Sequence, residues 1–258
     1  MRLSRSIRPF LFLMAFLLVP ALALAIEPPQ GPPAFVREFS SPELEVGPSL
    51  VHHERDAAAA IPGLQRFFAH HSDQWEVRWD ERGNRPNLIQ GVGVPLLPGR
   101  GNSLAPAGEI QTAEVERRLR GFLGEFSEVL DVEGLDLRLD PRSTVNVGED
   151  KQIWFVEFQQ YHDGIPVEGA NVYFRVNHGN LIQFGAEKVA PVRINTTPRL
   201  DGVEALAAVL QETGFRAEEL TEVPNPGTLK IVPALNVGER PAERYTGQPG
   251  RGYRHLLV

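Results

Sequence analysis

The chain is expected to fold as an α+β protein, with an antiparallel sheet packed against helices. Three observations lead there. Residues 112–130 place apolar side chains at spacings of three and four, the helical period. Residues 153–189 hold three strand-like runs divided by short turn signals, the pattern of an antiparallel meander. Residues 200–213 return to helical spacing, and strand-like text follows. Helix, strands, helix, strands is not the alternating order that builds a parallel βαβ sheet.

The first 25 residues have the layout of a secretory signal peptide. Arg2, Arg5 and Arg8 form a positive start, Phe10 to Leu24 is apolar, and Ala23 and Ala25 offer small residues for cleavage. A membrane span needs about 20 apolar residues. This run is shorter, contains Pro20 and is followed by Glu27-Pro28-Pro29-Gln30. Residues 26–55, rich in Pro, Ser and Glu at their start, are read as a flexible leader.

Residues 56–110 are expected to be a strand and loop region. Asp56–His71 carries Leu64, Phe67 and Phe68 at helical spacing, although Pro62 interrupts it. Trp75, Val77 and Trp79 alternate with Glu76 and Arg78, a strand signal. Residues 83–108 are dense in glycine and proline and read as loop.

The best helix is Thr112–Leu130, with Val115, Leu119, Phe122, Phe126 and Leu130 on one face. Thr112 is placed to cap it, and Glu114 and Glu116 favour the positive end of its dipole. Gly121 and Gly124 weaken it, so packing must hold it. The expected strands are 153–161, 167–176 and 181–189. Asp163-Gly164 and Asn177–Asn180 turn the chain between them. A second helix spans 200–213 and ends at Gly214. Further strands are expected at 228–233 and 253–258.

Composition excludes several classes. Net charge is −7, and removal of the first 25 residues leaves 23 basic against 33 acidic residues, a net −10. No basic stripe invites nucleic acid, and an acidic protein is not drawn to anionic membranes. The chain has no cysteine, which removes disulfides, thiolate metal sites and cysteine nucleophiles.

Residues 154–191 read WFVEFQQYHDGIPVEGANVYFRVNHGNLIQFGAEKVAP. The marks are Gln160 and Tyr161 at a strand end, the turn Gly164-Ile165-Pro166-Val167, then Gly169-Ala170 and Gly179 in the next turn. This text resembles the propeptide motif of the fungalysin and thermolysin families of secreted zinc peptidases. The stretch 200–258 is similar to a PepSY-type module, with a Pro/Gly-rich insert at 236–252. The resemblance implies two small propeptide subdomains, 111–195 and 196–258. Because 253–258 is strand-like to the last residue, the second is read as truncated. It also implies a partner in cis, the peptidase catalytic domain, which the propeptide helps to fold and then inhibits. Zinc is expected only in that missing domain, and no cofactor in this chain.

The residues themselves carry no evident catalysis. Gly164 is suited to a positive φ, Pro166 presets its own backbone, and Gly169 suits a bulge or close approach. The zinc motif His-Glu-x-x-His is absent; His53-Glu54-Arg55-Asp56-Ala57 begins like it but lacks the second histidine. Catalysis is therefore not expected of this chain. His52, His53, Glu54 and Asp56, and separately His70, His71 and Asp73, are read as solvated polar ends rather than metal ligands. His162 beside Asp163 lacks an evident nucleophile. The strand 153–161 is read as half-buried sheet rather than a binding face. The alternative function is a stand-alone secreted inhibitor or protein-binding module, for which Val258 would be the true end.

Overall fold

The computed structural model describes residues 47–48, 50–52, 62–104, 109–148, 152–219, 227–238 and 250–258. The expected signal segment with Ala23 and Ala25, the leader up to residue 46, and His53, Glu54 and Asp56 lie outside the described residues.

Among the described residues, ten strands and four helices follow in order: β1 (Leu50–His52), α1 (Pro62–His71), β2 (Trp75–Asp80), β3 (Arg85–Pro95), α2 (Thr112–Glu125), α3 (Ser127–Leu130), β4 (Asp136–Leu139), β5 (Val145–Val147), β6 (Ile153–His162), β7 (Ile165–Asn177), β8 (Asn180–Glu187), α4 (Gly202–Thr213), β9 (Ile231–Leu235) and β10 (Tyr253–Leu257), with a short 3₁₀ turn at Ala217–Glu219. The fold is α+β. The expected meander is its middle, but the sheet as a whole is mixed, which corrects the simple antiparallel meander. The strand order is β1-β2-β3-β8-β7-β6-β4, with β5 also on β6. β9 pairs parallel to β7 at Val167↔Ile231, and β10 pairs antiparallel to β9. This branch arises because β8 ends at Glu187, opposite Asn171, and leaves the first residues of the long β7 uncovered.

The largest departure from the sequence reading is β3, an eleven-residue strand inside the glycine- and proline-rich stretch expected to be loop. It pairs with β2 on one side and β8 on the other. Its glycines are close-packing positions: a Cβ on Gly91 would sit 2.6 Å from Cδ2 of Trp75. Within the expected leader, Leu50–His52 pairs with Asp80–Arg78.

The helix expected over 112–130 is two helices. Phe126, at φ −121° and ψ 31°, breaks the run. The N-cap is Gln111 without a side-chain hydrogen bond, so the expected cap from Thr112 is not formed. The break aims Phe126 at Phe67, with ring centroids 5.5 Å apart. Pro62 opens α1, at the position where its missing N–H costs nothing.

The core lies between the helices α1 to α3 and one face of the sheet. Phe67, wholly buried, is its hub, with ring centroids of Trp75, Phe122 and Phe184 at 5.1, 6.2 and 5.4 Å. Trp154, Val156 and Phe158 of β6 and Val172, Phe174 and Val176 of β7 point into the same core, so alternate positions of both strands face outward. Arg85 is 1% exposed and donates to the carbonyls of Leu130 and Asp131 at 3.3 and 3.1 Å. It places a cation at the carbonyl end of α3, where the helix dipole favours one. No helix among the described residues is long and apolar enough to cross a membrane.

Candidate functional site

The motif residues come together on the β6–β7 hairpin and in the β7–β8 turn. Asp163 and Gly164, at φ 50° and 80°, form a two-residue loop closed by His162↔Ile165. Two positive φ values in a row make a type I′ turn, whose twist matches the strands it joins. His178 and Gly179, at φ 50° and 87°, repeat it between Asn177 and Asn180. Pro166 lies opposite Tyr161 in the ladder, and the Arg138 guanidinium stacks over the Tyr161 ring at 4.3 Å. Val167 and Ala170 are fully buried.

The two glutamines serve the backbone. The register of β6 and β7 shifts between Gln159 and Tyr161, beside Gly169 at φ 66°. Such a bulge leaves ladder carbonyls unpaired. The Gln159 amide fills that gap, donating to the carbonyls of Val167 and Ala170. Gln160 is 1% exposed, donates to the Ala190 carbonyl at 2.7 Å and accepts from its N–H at 3.2 Å. One amide thus mimics a strand partner for the segment leaving β8. Gln160→Ala orphans both buried groups of Ala190, and each costs about 1–3 kcal/mol when unsatisfied. A loss of about 2–4 kcal/mol in urea unfolding is expected; a change under about 0.5 kcal/mol would show that water replaces the amide.

The second turn is clamped by a loop the sequence left featureless. Leu96 and Leu97 both donate to the Gly179 carbonyl, at 3.0 and 2.9 Å. Asn102 donates to Leu97 O at 2.8 Å and to Asn180 Oδ1 at 3.0 Å, and Asn180 donates back to Gly101 O at 2.7 Å. The proline- and glycine-rich text after β3 is therefore a fitted strap over the hairpin end.

The outward face of β3, β8, β7 and β6 is the best-formed candidate site. A depression of about 230 Å³ is lined by Asn87, Glu157, Asn171, Tyr173, Arg175, Gln183 and Glu187. Arg175 meets Glu157 at 3.1 Å and lies over the rings of Phe155 and Tyr173, 4.8 and 5.2 Å from their centroids. Tyr173 donates to Asn87 O at 2.7 Å, and burial pushes its pKa up, so the phenol stays protonated. The face offers a fixed guanidinium, two carboxylates and carboxamides on rigid strands. It was missed because outward residues of a strand look like ordinary solvent positions; the signal was the opposite parity of Glu157 and Arg175 to the buried residues around them.

No protein family, curated protein or solved structure matches the chain.

Two further polar groups named from the sequence lie among the described residues. Asp163 stands between Thr196, whose hydroxyl donates to it at 2.9 Å, and His162 at 3.8 Å. A nucleophile must instead meet its base directly. His71 packs its ring 5.2 Å from those of Phe67 and Phe126, and burial lowers its pKa. Among the described residues, no group of three or more His, Cys, Asp or Glu could hold a metal ion.

Proposed function

We propose that the chain is the non-catalytic propeptide region of a secreted zinc metallopeptidase of the fungalysin and thermolysin type, made to help the catalytic domain fold and to cover its cleft. The observation that carries this reading is how the motif residues are used. Gln160, Gly164, Gly169 and Gly179 hold the long β6–β7 hairpin and the turn that follows it. The hairpin displays one rigid polar face built around Glu157, Tyr173 and Arg175. A scaffold that presents a fixed surface acts by binding a partner's native state, and such binding stabilises that state by mass action. Export through residues 1–25, with cleavage after Ala25, belongs to the same proposal.

The experiment adds the chain, freed of residues 1–25, to a denatured thermolysin-type catalytic domain during refolding. A higher yield of active enzyme is expected, followed by inhibition of the refolded enzyme. Neither assistance nor inhibition, with the added chain shown to be folded, would remove the proposal.

A further inference from the structure

β10 has an open edge, and an apolar groove opens at the end of the same hairpin. Lys230 and Val258 exchange both backbone hydrogen bonds, at 2.8 and 2.9 Å, and Asn236 donates to Gly252 O at 3.0 Å. Antiparallel ladders alternate with a period of two. Arg254 and Leu256 therefore bond to β9, while His255 and Leu257 turn their N–H and C=O groups to the other side. Among the described residues no strand pairs with that side. The start of the edge is shielded, because Gly250 and Gly252 donate to Gly83 O and Arg82 O of the β2–β3 turn. The open part is 255–257.

Beside Leu257 and Val258 the groove runs toward α4, with a volume of about 560 Å³, lined in part by Pro198, Leu200, Ala205 and Leu229. The helix itself is locally complete. Asp201 makes a full capping box with Glu204, and Gly214 closes the other end at φ 72°. Yet none of its residues is buried, and Val203 and Val209 are 78% and 56% exposed. With the exposed Leu206 between them, at steps of three, they form an apolar stripe of the kind that marks an interaction surface.

We infer that the β10 edge takes an extended segment of a partner polypeptide as a further strand, with apolar side chains of that segment entering the groove toward α4. The two features select the same occupant. A groove alone would accept a helix or a lipid tail, but neither satisfies the outward N–H and C=O groups of His255 and Leu257. An added strand does so through main-chain bonds, while its alternate side chains fill pockets. The inference rests on the edge and the groove, and holds independently of the zinc-peptidase proposal.

The test uses a lysine-flanked peptide of alternating valine and threonine as probe. In the free protein, the amides of His255 and Leu257 are expected to exchange with solvent quickly. Saturating peptide is expected to slow both by about tenfold or more, leaving Leu256 unchanged. His255→Pro removes one outward donor without touching the β9 ladder, and should weaken peptide binding by about tenfold; His255→Ala keeps that donor and should stay within about twofold of the unaltered protein. Equal affinities in the two variants would overturn the inference. So would slow exchange at 255 and 257 in the free protein, or protection that appears only as the protein dimerises. If His255→Pro fails to fold, the exchange data on the unaltered protein decide the matter alone.

Discussion

Phe67→Ala should lower stability by about 3–5 kcal/mol, the range for a fully buried phenylalanine that leaves a cavity. Phe67 is the residue at which two layers meet. Its ring lies edge-on to Trp75, Phe122, Phe126 and Phe184, which come from β2, α2, the helix break and β8. None of these can close the gap alone, because each is also held elsewhere: Phe122 against Phe174, and Phe184 stacked on Phe174 at 12° between planes. Collapse around the hole is therefore limited, which places the cost toward the upper end. For a chain of this size the loss corresponds to a fall of roughly 6–20 °C in Tm. Calorimetry reads it directly, and a fall of only a degree or two would mean that Phe67 is not the hub of the core.

Gly185→Ala should disrupt the sheet and the polar face together. Gly185 lies opposite Tyr173, and an added Cβ would fall on the Asn87 carbonyl, with the Tyr173 hydroxyl 2.8 Å away. The first obstacle is backbone, so no side-chain rotation relieves it. β3 and β8 must separate, which breaks the Tyr173–Asn87 hydrogen bond at the rim of the depression. Overpacking costs about 1–3 kcal/mol where neighbours can yield, and here about 3 kcal/mol or more is expected. Gly121→Ala is the matched contrast. Nothing lies within 4 Å of its Cβ position, and it sits inside α2. There the same methyl group should raise stability by about 0.5–1 kcal/mol through helix propensity. Urea midpoints of the two variants should move in opposite directions. A shared direction would show that the Asn87 carbonyl is free to move.

Both substitutions concern features that sequence spacing handled unequally. Phe67 was legible as a core residue because α1 keeps a helical period through Leu64, Phe67 and Phe68. Gly185 was silent, since a lone glycine in a strand does not say which backbone approaches it. Gly91 and Gly93 misled for the same reason. They read as loop, yet they sit in β3 with a strand on either side. The helix break at Phe126 was equally invisible, because Phe126 satisfies the helical period and leaves it only to reach Phe67.

The candidate site divides along the same line. The motif positions Gln160, Gly164, Gly169 and Gly179 were identifiable from the text, and the two type I′ turns follow from Asp163-Gly164 and His178-Gly179. The role of Gln160 was not, because its partner Ala190 lies thirty residues on, past two further strands. The outward face was set aside when 153–161 was read as half-buried sheet, since it is assembled from four strands that no local window contains.

By itself the sequence determined what short-range chemistry decides. The two hairpin turns, the alternation of β6 and β7, and the α4 boundaries at Asp201 and Gly214 all depend on residues within a few positions of one another. Only the tertiary structure decided that β3 threads between β2 and β8, that β9 runs parallel to β7, and that no described strand pairs with the outer side of β10. Those outcomes come from burial and backbone pairing between distant segments. Their energies are summed over the whole core, so neither periodicity nor turn propensity carries them.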